Sequence, residues 1–404
     1  MSEDTRTVKT IRLFHSITIP DRLKLARYRK SPELGPRILF FSGGTALNPL
    51  SRVLVNYTHN SIHLVTPFDS GGSSAIIRQA FNMPAVGDMR SRLMALADQT
   101  VKGNPAIFEF FAYRLPKDME QDQLKDELEK IAGGRGFMIR EIPDPMRTII
   151  RSHLADFITK MPADFDLRGA SMGNLILTAG FFANNRHIDP VIFLFSKLVE
   201  VKGTVRPIMN SNLHLAARLE DNTLVMGQHM LTGKECEPIS SPVADFFLIR
   251  SLTSSEPVVP GIRNKVRKMI LDAEFICYPM GSFYSSIIAN LLPRGVGDAI
   301  ASNLCPKAFI PNTGFDPEQQ GTTLDQRVEV LLSFLRKSCV EPRPDESLLN
   351  YVILDADHSL YQGGVDKDRI KSMGLEVLEL PLTLNSGKPH LNEELLVETL
   401  MSMV

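Results

Sequence analysis

The chain has 404 residues, 43% of them hydrophobic, which is enough for a large core and, by length, for two or three domains. Its 45 basic and 46 acidic residues leave a net charge of -1, which excludes a general polyanion binder, so no nucleic acid is expected as a partner. No stretch approaches the roughly 18 to 20 apolar residues needed to cross a bilayer. The N-terminal MSEDTRTVKT has no apolar signal segment, and the four cysteines (Cys236, Cys277, Cys305, Cys339) form no CxxC pair. The expectation is a cytoplasmic protein with reduced thiols, no membrane partner, no zinc site and no disulfide framework.

Residues 1–34 read as an extension before the first strand, with a basic segment, LKLARYRK (Leu23 to Lys30), predicted as a solvated helical face. RILFFS (Arg37 to Ser42) then reads as a buried strand, followed by a helix with Leu47, Leu50, Val53 and Leu54 on one face. IHLVTP (Ile62 to Pro67) is the second predicted strand, and its loop leads into a helix around AIIRQAF. Helical spacing dominates from about 100 to 165, in NPAIFEFFAYRL, EQDQLKDELEKIAG and PMRTIIRSHLADFITKM, and reads as a helical insertion. More helix follows at NLILTAGFFANN and PVIFLFSKLVEV. The period then shortens: VRPIM, LHLAARLE and TLVMGQHM, with a turn at Asp221-Asn222, predict a small antiparallel β-meander over about 203–231. Strand–helix alternation returns with EFICYP, SFYSSIIANLL, KAFIPN, TLDQRVEVLLSFLRK, NYVILD, DRIKSMG and LEVLEL, and a last helix follows His390. Continuous apolar strands alternating with helices argue for one α/β domain over 35–404: a doubly wound, Rossmann-like, mostly parallel sheet carrying both insertions.

Open sheets of this class bind ligands at the carboxyl ends of their strands, so the loops there carry the functional reading. The first is Ser42-Gly43-Gly44-Thr45. Its glycines let backbone amides approach an anion, and Thr45 adds a hydroxyl. It lacks the lysine of GxxxxGK[ST] and is not GxGxxG. The second, TPFDSGGSS, repeats the arrangement in Ser70, Gly71, Gly72, Ser73 and Ser74, with Asp69 as a candidate Mg²⁺ ligand or proton acceptor. In the third, PAVGDMRSRL, Gly87 and Asp88 open a helix that carries Arg90, whose guanidinium suits a phosphate. In the fourth, YPMGSFYSSII, Gly281 and Ser282 end a strand and Tyr284 and Ser285 begin a helix. Four such loops in one sheet indicate a ligand with several phosphates or hydroxyls.

Gly169-Ala170-Ser171-Met172-Gly173 matches GxSxG, the nucleophile elbow of α/β-hydrolases, and Asp355, Asp357 and His358 follow in the order a triad needs. The preceding MPADFDLRGA is polar and broken where an elbow requires a buried strand. Ser171, Gly173 and Asn174 read instead as the opening of a helix that contacts ligand or backbone.

FFSGGTALNPL, VTPFDSGGSSAIIR, PAVGDMRSRLMALAD, RGASMGNLILTA and YPMGSFYSSIIANLLPRGV occur in this order and are joined by FIPNTGFDPEQQGTTLDQRVEVL. The series resembles the CofD-like family, which takes in the 2-phospho-L-lactate transferases of deazaflavin-coenzyme synthesis and the gluconeogenesis-factor (YvcK) proteins. The resemblance runs from about residue 37 to the C-terminus. It implies a Rossmann-like nucleotide-binding core. In the transferase branch, a deazaflavin alcohol attacks the phosphorus of a lactyl-phosphate carried on a nucleoside monophosphate. The first two glycine loops would hold the diphosphate, and Asp69 with Mg²⁺ would neutralise charge or orient the hydroxyl; Asp88 is the second candidate catalytic residue, with the cap of its own helix as the alternative. In the other branch it implies UDP-sugar binding and regulation without turnover. A homodimer is the expectation from family members. Three places depart from the family pattern: Asp69-Ser70 stands for paired acids, Val86-Gly87-Asp88 for Pro-Gly-Asp, and Pro279-Met280-Gly281-Ser282 for GPGS. They mark a divergent branch.

Overall fold

In the computed structural model, which describes residues 16–100, 103–233, 237–384 and 390–404, the apolar run before the first glycine turn is strand β1 (Ile38–Ser42). Leu39 and Phe41 enter one core and Ile38 and Phe40 another. A strand covered on both faces needs apolar residues throughout, so the run shows no polar alternation. After β1 come β2 (Ile62–Val65), β3 (Thr204–Pro207), β4 (His214–Leu219), β5 (Leu224–Met226), β6 (Val243–Ile249) and β7 (Pro257–Val258). The last strands are β8 (Phe275–Tyr278), β9 (Lys307–Phe309), β10 (Tyr351–Asp355) and β11 (Glu376–Leu380).

A seven-stranded sheet has the order β11-β10-β9-β8-β1-β2-β3, and every pairing in it is parallel. The chain winds outward from β1 through β2 to β3, then returns to β8 on the other side of β1 and winds outward again. The reversal falls between β1 and β8, so the crevice at their carboxyl ends is the topological switch point where such sheets bind ligands. The four-stranded antiparallel sheet, in the order β5-β4-β6-β7, stands apart from it.

Helices α1 (Arg22–Lys30) and α2 (Asn48–Leu54) cover one face of the sheet. Then come α3 (Gly72–Phe81), α4 (Gly87–Ala95), α5 (Pro105–Ala112), α6 (Gln121–Ala132), α7 (Phe137–Arg140), α8 (Met146–Lys160), α9 (Met172–Ala183) and α10 (Ile188–Leu198). They bury Ile77, Leu93, Phe110, Leu128, Ile150, Leu175 and Val191 with Val65 of β2 and Val205 of β3 in one cluster. The helical layer is thus broader than the insertion expected at about 100–165. The short α11 (Gln228–Leu231) follows β5. α12 (Asn264–Leu271), α13 (Val296–Ser302) and α14 (Leu324–Lys337) cover the second face together with the antiparallel sheet. α15 (Lys367–Ser372) precedes β11, and α16 (Glu393–Ser402) packs beside α1 and α2.

Three local expectations change. VRPIM is the edge strand β3 of the parallel sheet, and the antiparallel element extends instead to β6 and β7; GQHM is helix α11. An edge strand is half covered, so its buried-and-partly-exposed alternation imitates a meander strand. The basic segment is a docked helix: Leu25 is buried, Lys24 Nζ donates to the carbonyls of Ser402 (3.1 Å) and Val404 (2.6 Å), and Arg29 pairs with Glu394. SFYSSIIANLL forms one π-helical turn (Phe283–Ile287) and a 3-10 turn (Ile288–Asn290). Cys236 lies outside the described residues. The other three cysteines are free, and among the described residues no helix is long and apolar enough to cross a membrane.

At Gly297 on α13, an added Cβ would lie 2.4 Å from the Leu335 carbonyl oxygen and 2.5 Å from Cys339 Sγ. Glycine to alanine within a helix ordinarily gains about 1 kcal/mol. Here the overpacking against α14 should cost about 1–3 kcal/mol. Urea unfolding of Gly297→Ala is therefore expected to show a lower midpoint, and a raised midpoint would mean that α13 and α14 do not touch there.

Candidate functional site

The loops after β1, β2 and β8 enclose a cavity of about 270 Å³ at the switch point. Ser42 to Leu47, Asp69, Gly71, Asp88 and Met280 to Ser282 line it, together with Gln228, His229 and Thr232 from the antiparallel subdomain and Ser286. The four glycine and hydroxyl loops expected from the sequence therefore do converge, though not all of their residues face the cavity.

The first loop is held from behind by Arg92 on α4. This side chain is fully buried; its guanidinium donates to the carbonyls of Gly43 (3.3 Å) and Gly44 (2.9 Å) and to Ser51 Oγ (2.7 Å). In a trans peptide the C=O and the following N–H point in opposite directions. Turning those two carbonyls toward Arg92 turns the amides of Gly44 and Thr45 away from it, on the cavity side. Neither amide has an acceptor among the described residues. Burial pulls the Arg92 pKa down to about 9, which leaves it charged at neutral pH. Ser42 Oγ is buried in the cavity wall without a partner among the described residues. Glycine is required by close approach: a Cβ on Gly43 would lie 2.2 Å from Ser286 Oγ, and one on Gly44 would lie 2.2 Å from Asp88 Oδ1.

The second loop is tied down in a similar way. Arg78, also buried, donates to the carbonyls of Phe68 (2.9 Å), Asp69 (3.3 Å) and Leu213 (2.6 Å). Burial pulls its pKa down to about 10. The Ser70 amide donates to Gln228 Oε1 (3.1 Å), and Ser70 Oγ lies 2.9 Å from His229 Nδ1. Ser70 thus links the loop to α11 and does not face the cavity. Asp69 does: its Oδ1 accepts the Gly71 amide at 3.1 Å. Gly87 brings the third loop against it, because a Cβ there would lie 2.3 Å from Ser74 Oγ and 2.8 Å from Asp69 Oδ2. Asp88, beside the Thr66 hydroxyl (3.4 Å), supplies a second carboxylate to the wall. Gly72, with φ of 47°, opens α3 with open space around its α-carbon.

The fourth loop is divided. Gly281 and Ser282 line the cavity, while the Gly281 amide and carbonyl are both bonded to the Asn312 side chain (2.8 and 2.7 Å). Tyr284 and Ser285 lie behind the wall. Their amides both donate to Glu318 Oε2 at 2.8 Å, so the turn's N-terminus is capped by a protein carboxylate and not offered to a ligand. Asp316 Oδ2 takes the Phe283 amide at 3.0 Å. Burial and the neighbouring Asp316 charge push Glu318 up to about 7.

Arg90, Ser73, Ser171, Gly173 and Asn174 sit together beside the cavity, outside its lining. Ser171 is fully buried at the N-cap of α9, where its Oγ donates to the Phe111 carbonyl (3.5 Å), and the chain there pairs with Arg114 through an isolated bridge and not through a strand that could form an elbow. Asp355 accepts the amides of Asp357 (2.7 Å) and Leu382 (2.8 Å), and His358 Nε2 lies 3.1 Å from Glu379. Both occupy the β10 side of the sheet, and no triad forms.

For Mg²⁺, the described residues hold no group of three or more His, Cys, Asp or Glu that could bind an ion. Two carboxylates, Asp69 and Asp88, on one cavity wall fit the usual Mg²⁺ arrangement, in which one or two acids share the ion with substrate phosphates. The residues thus fit a metal brought with the ligand.

Arg92, Gln228, His229, Thr232, Ser286 and Glu318 were not expected. Only Arg92 had a signal, as a second arginine four residues after Asp88 on the same helix. Met280 borders the main cavity and also a second one of about 370 Å³, lined by Asn312, Thr313, Gly314, Phe315 and Leu391.

Residues 38–383 match the family model described as 2-phospho-L-lactate transferase CofD. A putative gluconeogenesis factor of Nostoc is 28% identical over 74% of this chain and 52% of its own length. That of Thermoanaerobacterium thermosulfurigenes is 24% identical over 92% of this chain and 97% of its own, and the Bacillus subtilis gluconeogenesis factor is 26% identical over 85% and 90%. This chain therefore spans about half of the Nostoc relative and nearly all of the Thermoanaerobacterium one. A crystal structure of a UPF0052-family protein from Bacillus halodurans matches with a TM-score of 0.63 at 21% identity, over 90% of this chain and 98% of that one. At that identity it bears out the fold.

The Glu318 cap generates a pH prediction. Its pKa is raised on folding, so its contribution to stability is fully present below about 4.5 and is lost as pH rises through about 7. A glutamine side chain at this position would copy the protonated form. Relative to the wild type, Glu318→Gln should gain thermal stability as pH rises from about 5 to about 8. A melting-temperature difference that stays constant over this range would remove Glu318 as a titrating cap.

Proposed function

The chain belongs to the CofD family, and from that premise and the amide-lined cavity we propose that it binds a nucleoside-diphosphate-linked metabolite and transfers the attached phosphoester to an alcohol. The carrying observation is the pair of Gly44 and Thr45 amides, aimed into the cavity by Arg92 and left without acceptors among the described residues. They take the diphosphate, and Ser42 Oγ adds a third donor. The adjoining cavity behind Met280 takes the nucleoside, with Phe315 (74% exposed) available to stack on the base.

In the transfer, the acceptor hydroxyl oxygen forms a bond to the phosphorus carrying the lactyl-type group. The bond from that phosphorus to the nucleoside-monophosphate oxygen breaks, and the monophosphate leaves. Asp69 orients the hydroxyl and takes its proton, while Asp88 lies on the same wall beside Gly44. Mg²⁺ carried on the diphosphate would neutralise its negative charge between these two acids. Most of the catalysis then lies in positioning and charge neutralisation, as is usual for phosphoryl chemistry. A deazaflavin-like alcohol is the acceptor class implied by the resemblance to the transferase branch of the family.

A second reading is favoured by the relatives named gluconeogenesis factors: a regulatory binder of a nucleotide sugar, with no turnover. Ser70 supports it, since the residue beside Asp69 carries no second acid and is held by Gln228 and His229.

Melting temperatures with GDP, UDP and UDP-sugars, each with and without Mg²⁺, test the binding claim, because a ligand specific to the native state raises the midpoint. Silence from every nucleotide would remove both readings. For the transfer claim, Asp69→Asn should cut turnover of a nucleotide-linked phospholactate with a deazaflavin alcohol by about a hundredfold or more while leaving nucleotide affinity within about threefold. Tight nucleotide binding by the wild type without any turnover of such substrates would leave the regulatory reading.

A further inference from the structure

Among the described residues, His229 is the one imidazole in the wall of the switch-point cavity, and it comes from α11 of the antiparallel subdomain. Two neighbours fix its ring. The His229 amide donates to Ser70 Oγ at 3.0 Å, and the same oxygen lies 2.9 Å from Nδ1. The Ser70 amide, bonded to Gln228 Oε1 at 3.1 Å, holds α11 on the second loop as well. Gly227 presses against the ring: a Cβ there would lie 2.8 Å from Cε1 and 3.0 Å from Nδ1. Its φ of 97° is also one that side chains rarely adopt. Ser70 does not border the switch-point cavity but a neighbouring one of about 590 Å³, which His229 borders too. The ring thus stands between two cavities with its Nδ1 edge toward Ser70 and its Cε1 corner under Gly227. The edge left for the switch-point cavity is that of Nε2 and Cδ2. Nε2 has no partner among the described residues and is not shut off from solvent.

The serine decides which ring nitrogen carries the proton. A hydroxyl has one proton to give. Ser70 Oγ already accepts the His229 amide, so the acceptor for its own proton among the described residues is Nδ1. A neutral imidazole that accepts at Nδ1 is protonated at Nε2, because the bond made by one ring nitrogen sets the state of the other. The ring therefore presents an N–H donor to the cavity that Gly44 and Thr45 also line. Ser70 is itself only 9% exposed, and its loop is braced by Arg78 through the carbonyls of Phe68 and Asp69. A donor fixed in this way stabilises charge on an anion without having to turn toward it first. In this tautomer the ring has no lone pair in the cavity and is not a base there.

We infer that His229 touches the ligand: its neutral Nε2–H donates to a non-bridging phosphoryl oxygen, and Ser70 is the positioning residue that keeps the proton on that nitrogen. This contact deepens the diphosphate-binding reading and rests on it. No proton leaves the imidazole, and Asp69 remains the group that takes the acceptor's proton. The phosphoryl group is then held from both sheets, by the first-loop amides of the parallel sheet and by α11 of the antiparallel one.

The test begins with imidazole nitrogen resonances of the full chain carrying isotope-labelled histidine, at neutral pH and without ligand. The His229 pair is identified by its absence from His229→Gln. Nε2 should be protonated and Nδ1 should be a hydrogen-bonded acceptor, and Ser70→Ala should mix the two tautomers. A proton on Nδ1 in the wild type would overturn the assignment before any ligand is added. Pyrophosphate, GDP and UDP are then titrated by calorimetry. His229→Ala should weaken the diphosphates that bind by about tenfold. His229→Gln should recover most of that loss, to within about threefold of the wild type, because a glutamine amide is a neutral donor that transfers no proton. The Nε2–H proton resonance should move downfield on binding, which a merely structural ring would not show. Circular dichroism checks that each variant keeps the fold. Equal affinity in wild type and His229→Ala, or a loss in a folded His229→Ala that glutamine does not recover, would overturn the contact while the diphosphate-binding reading stands. If neither pyrophosphate nor nucleotide binds the wild type, that reading fails and the contact fails with it.

Discussion

A fully buried arginine that bonds no carboxylate among the described residues sets the geometry of the anion cradle. Arg92 gives its hydrogen bonds to two glycine carbonyls and one serine hydroxyl, and burial lowers its pKa without making it neutral at physiological pH. A buried cation of this kind is a cost to stability, because desolvation is only partly offset by carbonyl dipoles. What the cost supports is direction. The planar trans peptide converts two anchored carbonyls into two amides facing the other way, so a loop of small residues becomes a rigid pair of donors. Preorganised donors lose little entropy on binding an anion, and they stabilise charge in the bound state. The missing P-loop lysine is explained in these terms: the positive charge stands behind the loop and acts through the backbone.

One helix carries much of this arrangement. Asp88 and Arg92 are four residues apart on α4 and share a face, toward the first glycine loop; Arg90, two residues from each, points to the opposite side, along α9. A single helical turn thus contributes a carboxylate to the cavity wall, the cation behind the loop and a cation beside α9. The close approaches of Gly44 to Asp88, Gly87 to Asp69 and Gly173 to Arg90 are what allow the turn to sit there. Small residues at these positions are explained by crowding more than by backbone conformation: among these three only the contact is tight, and none has a positive φ.

The strands and glycine loops were legible in the sequence because their signals are local. A strand buried on both faces must be apolar at every position, as Ile38 to Phe41 are, and a turn into a helix at a sheet's carboxyl edge needs residues such as Gly43 and Gly44. β3 was misread because an edge strand loses cover on one side and takes on the alternation of an antiparallel strand. The division of the fourth loop was not legible. Ser285 and Glu318 are 33 positions apart, and nothing near Tyr284 or Ser285 reveals that their amides are already taken. The same holds for Ser70, whose partners Gln228 and His229 lie more than 150 positions along the chain. Sequence spacing identifies a loop that can hold an anion, but only the folded chain shows which of its donors remain open.

The most direct test of the cradle is a crystal structure of the full chain with GDP or UDP, whichever raises the melting temperature. The diphosphate is expected to lie on the Gly44 and Thr45 amides, with the Arg92 bonds to the Gly43 and Gly44 carbonyls intact. A nucleotide bound elsewhere, for example in the groove lined by Arg29, Arg52 and Lys202 at the far side of α2, with those amides facing only solvent, would contradict it.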